Sequence, residues 1–553
     1  MNKLSNAEDL AKQLADRMVQ QQQKKPSAKS YLELSYLFEQ SDKLNKAKYI
    51  LQEGVSLYPT NMALHHTLWS LYTKQNERKE KFKHFPRILK NSFRRRPLKF
   101  YEHLQNVLQQ NHLFEQSLSI TKLQLQEQPR HIGLLRVAIQ KSLALRHFEE
   151  ALAYSETLKS QLTNIRYLAK LNMRIGMIYM LMGYFEKAEE QFTYCREAYK
   201  ELLPKIYKDG YEKLVIFNNG ESSIEYYKYI YPTKRVVATF DSIDKTDKAK
   251  PFAYKALKKK SVDLISLRRR TVTNYHQDIS REEYYHTIEK LIPFYEKRFA
   301  YGTSLGGYCA LYFGSTIPEC KILSCAPRNS AHPNYGTRAR VQSVFTHSLS
   351  HPVNTEIQPI ICYDPKQRVD HHYITAEIQH SYPNAIFKHF YYAGHRVPFY
   401  LQQAGILKDI VSRFLEEQPI PDYDRKLHSK SAEYHRVLAM ECKRHQKLHW
   451  ALDLAEKSVE LAPTYDRSLA LRIEILLCLQ RYDECIVYAN EAIQIHPTLA
   501  RFYILLADTY IAKGDLDKAK DILESAGKSI NSQKITHKLT TLKKQMELPT
   551  TTE

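Results

Sequence analysis

Between residues 28 and 203, large and small side chains recur with a period of about 34 residues. Residues 28–61 place Tyr31, Leu34, Ser35, Phe38, Ala47, Leu51, Gly54 and Pro59 in one register. Residues 98–131 repeat it with Tyr101, Leu104, Phe114, Ser117 and Pro129, and residues 132–165 with Leu135, Ala138, Phe148 and Ala151. The fullest N-terminal copy is 169–202, with Gly176, Tyr179, Gly183, Phe185, Ala188 and Phe192. Residues 62–97 keep Leu68 and Tyr72 and then turn Lys/Arg-rich. Small residues let two helices cross closely, and large ones fill the gap to the next pair, so the pattern predicts stacked antiparallel helix pairs. A Gln- and Lys-rich amphipathic lead, residues 1–27, precedes them. The pattern returns in 432–465 (Ala439, Ala451, Ala455, Pro463), 466–499 (Tyr482, Cys485, Ala489, Ala492, Pro497) and 500–533 (Tyr503, Ala507, Tyr510, Gly514, Ala519, Ala526). A Lys-rich capping helix and tail follow from about Ser532.

Near Pro204 the period changes. Short β-rich runs, Leu214–Phe217, Val236–Asp241, Val262–Leu267, Phe299–Gly302, Lys321–Cys325, Pro359–Tyr363 and Ile386–Tyr392, alternate with helical runs at Phe252–Lys259, Glu282–Lys297, Gly306–Phe313 and His371–Tyr382. Apolar strands alternating with helices predict a mainly parallel sheet covered on both faces, with its chemistry at the carboxyl ends of the strands. The Pro-rich stretch Glu417-Gln-Pro-Ile-Pro-Asp-Tyr423 reads as a linker back to the repeats.

One stretch carries chemistry. Gly302-Thr-Ser-Leu-Gly306 follows the fourth candidate strand and opens a helix. A serine on so tight a turn projects its hydroxyl above a sheet, and glycines on both sides let strand and helix approach closely. Ser304 is the expected nucleophile. The Leu305 N–H, at the start of the helix, is an expected oxyanion donor.

The 34-residue pattern resembles the tetratricopeptide repeat. The elbow and its flanking strand and helix resemble the α/β-hydrolase superfamily over roughly 210–415. The fold class expected is α plus α/β, with all-α solenoids at 28–205 and 430–545 flanking an α/β-hydrolase-like domain at 210–415 and a linker at 416–429. The resemblance implies a base after the last strand and an acid before it in the chain. His395, in Tyr391-Tyr-Ala-Gly-His-Arg-Val, holds the base position; His371, His372 and His389 are the other histidines nearby, and His389 is expected to be packed. For the acid, Asp370 is preferred over Asp364, which abuts the strand end and suits an Asx-Pro turn, whereas Asp370 also suits a helix N-cap. The second oxyanion donor is expected from Asn218-Asn219-Gly220, with Asn219 named for it. No H-G-G-G motif occurs. Lys250-Pro-Phe-Ala-Tyr254 and Ser324-Cys-Ala-Pro-Arg-Asn329 are similar to hydrolase-like proteins of bacterial surface-polysaccharide loci, some of them capsule O-acetyltransferases. That resemblance implies O-acetyl transfer to a surface or capsular polysaccharide, with acetyl-CoA as acyl donor and no required cofactor. Two alternatives stand beside it: an esterase or thioesterase that releases the acyl group to water, and a repeat scaffold with an inactive hydrolase domain.

Composition narrows the partners. The net charge of +22 suits a polyanion such as an acidic polysaccharide. No nucleic-acid motif accompanies runs such as Arg94-Arg-Arg96, Lys258-Lys-Lys260 and Arg268-Arg-Arg270. The eight Cys are scattered without a C-x-x-C, which points to reduced thiols and neither a disulfide framework nor a metal site. No signal peptide or transmembrane run is readable, so the expected location is the cytoplasm, with the inner face of the membrane as an alternative. The repeats are expected to bind a protein partner, and residues 428–553 to be dispensable for chemistry on a small activated ester but needed for full activity on the real acceptor.

Overall fold

A computed structural model of the chain describes residues 2–20, 25–74, 104–105, 107–108, 113–243, 249–271, 274–336 and 344–547. Gln21–Gln23, the run Arg94–Arg96, Tyr101 and the last six residues lie outside them. The chain divides into two compact units, 1–237 with 246–297, and 238–245 with 298–553.

The first unit opens with helical pairs. Ser27 caps the helix Ala28–Gln40 by accepting from the Ser30 N–H. Tyr31, Leu34, Phe38, Ala47, Ile50, Leu51 and Leu64 form one buried cluster. Asn164 caps Ile165–Met182 through the N–H groups of Arg166 and Tyr167, and Gly183 ends that helix at φ +82°. The small residue at the crossing is required: a Cβ on Gly176 would stand 2.5 Å from the Phe192 ring on the partner helix Phe185–Ala198. The helices stop at Ile206 and strands begin at Tyr211.

Here the expectation of a mainly parallel sheet needs correction. β1 (Tyr211–Asn218) pairs antiparallel with β2 (Ser222–Tyr229), and β2 antiparallel with β4 (Asp263–Arg269). The sequence does not predict β2, because Ser-Ser-Ile-Glu-Tyr-Tyr-Lys-Tyr has no apolar alternation. Its charges are nonetheless buried and paired: Glu225 with Lys213 and Arg268 at 2.7 and 2.8 Å, Lys228 with Asp263 at 2.9 Å. The expected helix 282–297 is shorter, Arg281–Ile288, followed by a 3₁₀ turn at Ile292–Phe294 that contains Pro293. β3 (Arg235–Phe240) belongs to the first unit up to Val237 and to the second from Ala238.

In the second unit the expected parallel arrangement is found. β5 (Lys297–Thr303), β6 (Lys321–Cys325), β7 (Ile360–Tyr363) and β8 (Ile386–His389) pair in that order, all parallel. The helix Leu305–Tyr312 is buried along its whole length. The expected helix 371–382 is an α-helix, Arg368–Tyr373, that widens to a π-turn at Ile374–Ile378. The stretch read as a linker is strapped down: Ile420 is buried, Lys388 pairs with Asp422 at 3.0 Å, and the Tyr423 hydroxyl donates to Asp409. Seven helices from Ala432 to Glu547 then stack on cores of small residues, including Ala439, Ala451, Ala455, Ala489, Ala492, Ala507, Ala519 and Ala526. Among the described residues no helix is long and apolar enough to cross a membrane. All eight cysteines are free, six of them buried.

Candidate functional site

Ser304 sits between β5 and the helix Leu305–Tyr312 with φ +54° and ψ −120°. A non-glycine residue rarely adopts a positive φ, and here the surroundings fix it. The Ser304 N–H donates to Cys325 O at 2.9 Å, while its carbonyl accepts from Tyr308 N at 2.9 Å and Arg328 N at 3.1 Å. The glycines are there for close approach. A Cβ on Gly302 would stand 1.9 Å from the Gly306 carbonyl oxygen, and one on Gly306 would stand 2.4 Å from that of Phe240, at the end of β3.

The structure brings three of the predicted residues together. Ser304 Oγ lies 2.7 Å from His395 Nε2, and His395 Nδ1 lies 2.6 Å from Asp370 Oδ2. A proton on Nδ1 is held by the carboxylate, which leaves Nε2 free to accept from the serine hydroxyl. Asp370 is fully buried in the helix Arg368–Tyr373, whose N-cap is Gln367.

Asp364 has a different place. Its Oδ2 accepts from Gly394 N at 2.8 Å and its Oδ1 from Lys366 N at 2.8 Å. It therefore anchors the turn that carries His395. Burial pushes its carboxyl above the usual range, against the backbone N–H groups of Lys366, Gly394 and Tyr392 that favour the ionised form.

Leu305 opens its helix, so its N–H has no intrahelical acceptor. Asn219 serves another purpose. Its Oδ1 accepts from Glu221 and Ser222 N–H, which shapes the β1–β2 hairpin in the first unit, and its Nδ2 donates to Asp278 Oδ2 at 2.8 Å, which ties the hairpin to a later loop. The strand end that meets the elbow is that of β3, followed by Asp241 and Ser242. His371 and His389 pack on the Tyr363 ring at 6.2 and 5.1 Å.

Sequence reasoning missed Arg328. Its Nη1 lies 3.3 Å from Asp370 Oδ1, the carboxylate oxygen that His395 does not use. The available signal was its position, three residues past β6, at the carboxyl edge of the strand beside β5. It also missed Arg396, which follows His395 and reaches the C-terminal helices.

Residues 476–533 and 169–195 match family models described as tetratricopeptide repeat. No curated protein matches the sequence. Similar solved structures include Naa15/Naa10 bound to HypK-THB, at 12% identity and TM-score 0.30, covering 92% of this chain and 64% of that one. The chain thus spans less than two thirds of that relative's length. Yeast Tom70 matches at 11% identity and TM-score 0.23, covering 95% and 97% of the two chains. The P58(IPK) TPR domain matches at 12% identity and TM-score 0.22, covering 94% and 99%. Tetratricopeptide repeats are therefore present in this chain both before and after its strands.

Proposed function

We propose that this chain is a serine-dependent acyltransferase whose domain is α/β-hydrolase-like. The observation that carries the reading is the run Ser304 Oγ–His395 Nε2 at 2.7 Å and His395 Nδ1–Asp370 Oδ2 at 2.6 Å, on a turn strained at Ser304. His395 takes the serine proton as Ser304 attacks the acyl carbonyl. The oxyanion is held by the Leu305 N–H and by an N–H from the turn after β3, at Asp241–Ser242. His395 then returns the proton to the leaving group; an acceptor hydroxyl, deprotonated by the same imidazole, attacks the acyl group, and the imidazolium gives that proton back to Ser304 Oγ as the acyl–serine bond breaks.

The resemblance to capsule O-acetyltransferases supports acetyl-CoA as donor and a surface polysaccharide as acceptor. The net charge of +22 favours an acidic glycan. The repeats fit a protein partner, and eight free thiols fit a reducing cytoplasm. Hydrolysis of an ester or thioester runs through the same acyl-enzyme with water as acceptor.

The test is intact-mass measurement after mixing with acetyl-CoA or an activated acetyl ester, with and without acidic glycans. An acetyl adduct on the Ser304 peptide, discharged onto glycan, is expected. Discharge to water alone selects the esterase. No adduct with any donor leaves the repeat scaffold.

A further inference from the structure

His395 lies on a turn that the C-terminal repeats grip. A Cβ on Gly394 would stand 3.0 Å from Val437 Cγ2 in the first repeat helix, Ala432–Arg444. The Tyr392 ring meets Tyr434 of the same helix edge-on at 6.1 Å. Arg396 stacks its guanidinium on Phe399 at 4.5 Å and donates from Nη1 to the Tyr465 hydroxyl at 2.8 Å. Tyr465 is the N-cap residue of the third repeat helix, Asp466–Cys478. Its hydroxyl donates to Glu433 Oε2 at 2.7 Å. Glu433 is fully buried and is clamped by Arg436 through Nε and Nη2, both at 2.8 Å. Gln403, on the helix just after the turn, accepts from Ser431 Oγ and Glu433 N, both at 2.9 Å.

Each end of this chain of bonds is fixed. Burial pushes the Glu433 carboxyl up, but the Arg436 pair and the Tyr465 hydroxyl outweigh it, so the group stays ionised. A buried carboxylate with a bidentate guanidinium holds its remaining donor in one direction. Tyr465 is thereby oriented to receive Arg396, and Arg396 is the residue bonded in sequence to His395.

We infer that Tyr465, Glu433 and Arg396 are positioning residues for His395, so that the C-terminal tetratricopeptide repeats form part of the candidate site. The inference rests on the acyltransferase reading for its kinetic consequence, but its structural content does not. A displacement of about 1 Å at a catalytic group costs up to roughly 100-fold in rate. The chain Arg396–Tyr465–Glu433 restrains the residue next to His395.

The experiment uses full-length protein with Tyr465→Phe, which keeps the ring and removes the hydroxyl, and with Arg396→Met, singly and together. Two readouts are taken. The first is kcat and KM on a small neutral acetyl ester, with the rate of Ser304 labelling by a serine-directed phosphonate. Each single variant is expected to lower kcat and the labelling rate by roughly 10-fold or more with KM unchanged. The double variant should lose no more than the larger single, because both cut one bond. The second is amide hydrogen exchange over residues 391–398, which reports the turn whether or not Ser304 reacts. Faster exchange there in both variants, at unchanged exchange in β5–β8, is expected. Wild-type exchange in that peptide overturns the inference, as does wild-type labelling in an enzyme whose Ser304 is reactive. A wild type that no phosphonate labels sinks the acyltransferase reading instead, and the exchange result then decides the positioning.

Discussion

At the scale of the residue, the 2.7 Å contact between Ser304 Oγ and His395 Nε2 predicts that the two act together. Ser304→Ala removes a single oxygen from a turn whose glycines remain. It should abolish phosphonate labelling and lower acyl transfer by orders of magnitude, with little change in folding. His395→Ala should cost about as much, and the double variant no more than either. Losses that multiply would show that the two act separately. Arg328 makes a different prediction. Asp370 is fully buried, and Arg328 Nη1 stands 3.3 Å from the oxygen that His395 leaves unused. Removing one partner of a buried pair is costly because the other charge stays behind. Arg328→Ala should therefore lower kcat about 10-fold or more on a neutral ester, while Arg328→Lys, which keeps the charge, should recover a large part. A variant that changes only KM for anionic acceptors would make Arg328 a substrate contact instead.

At the scale of the element, close approach and buried charge set the stability. Gly306→Ala places a Cβ 2.4 Å from the Phe240 carbonyl, and backbone cannot swing aside as a side chain does. The cost should be about 1–3 kcal/mol or more, read as a lower melting temperature. Lys141 is 3% exposed, with its ammonium 4.9 Å from the centre of the Phe114 ring, and burial lowers its pKa from 10.5 to about 8. Between those values the unfolded chain binds the extra proton, so the cost of burying the charge is full below pH 8 and fades as pH rises to 10.5. Lys141→Met should raise the melting temperature at pH 7, and its advantage over wild type should shrink across that window. An advantage constant with pH would mean that the gain comes from packing alone.

The elements also show what the sequence carries and what it does not. Ser304, His395 and the parallel strands were legible because a tight glycine turn and short apolar runs are local signals. Gly176 and Ala439 were legible because helix crossings repeat at a fixed spacing. β2 was hidden because Glu225 and Lys228 are neutralised by Arg268 and Asp263, partners about 40 residues away that no local pattern reveals. Asp364 and Asp370 stayed open because Asp370 also suited a helix N-cap, a place that Gln367 takes. Asn219 is tied up for a related reason: β1 turns straight back into β2, and the Asn219 amide oxygen is used inside that hairpin.

At the scale of the whole molecule, the question is whether the repeats and the chemistry are separable. The sequence reading treats them so, because every candidate catalytic group lies within residues 210–415 while the C-terminal repeats begin near residue 430. The contacts within the second unit argue otherwise. Deleting residues 428–553 would uncover Gly394, Arg396 and Gln403 together and remove Tyr465, Glu433 and Val437 from the histidine turn. Arg396 would lose its acceptor and the Gln403 side chain both of its donors. The deletion should therefore lower activity on a small ester and on a polysaccharide by similar factors, and should lower the melting temperature of the remaining chain. The repeats themselves carry two buried clusters, one from Ala439 to Leu506 and one from Ala507 to Leu542, and, as stacked nearest-neighbour units, should fold when expressed alone. Adding that fragment back should restore part of the lost activity on both substrates. If the truncated protein keeps wild-type turnover on the small ester and fails only on the glycan, the repeats serve the acceptor alone, and the bonds from Arg396 to Tyr465 hold nothing that the reaction needs.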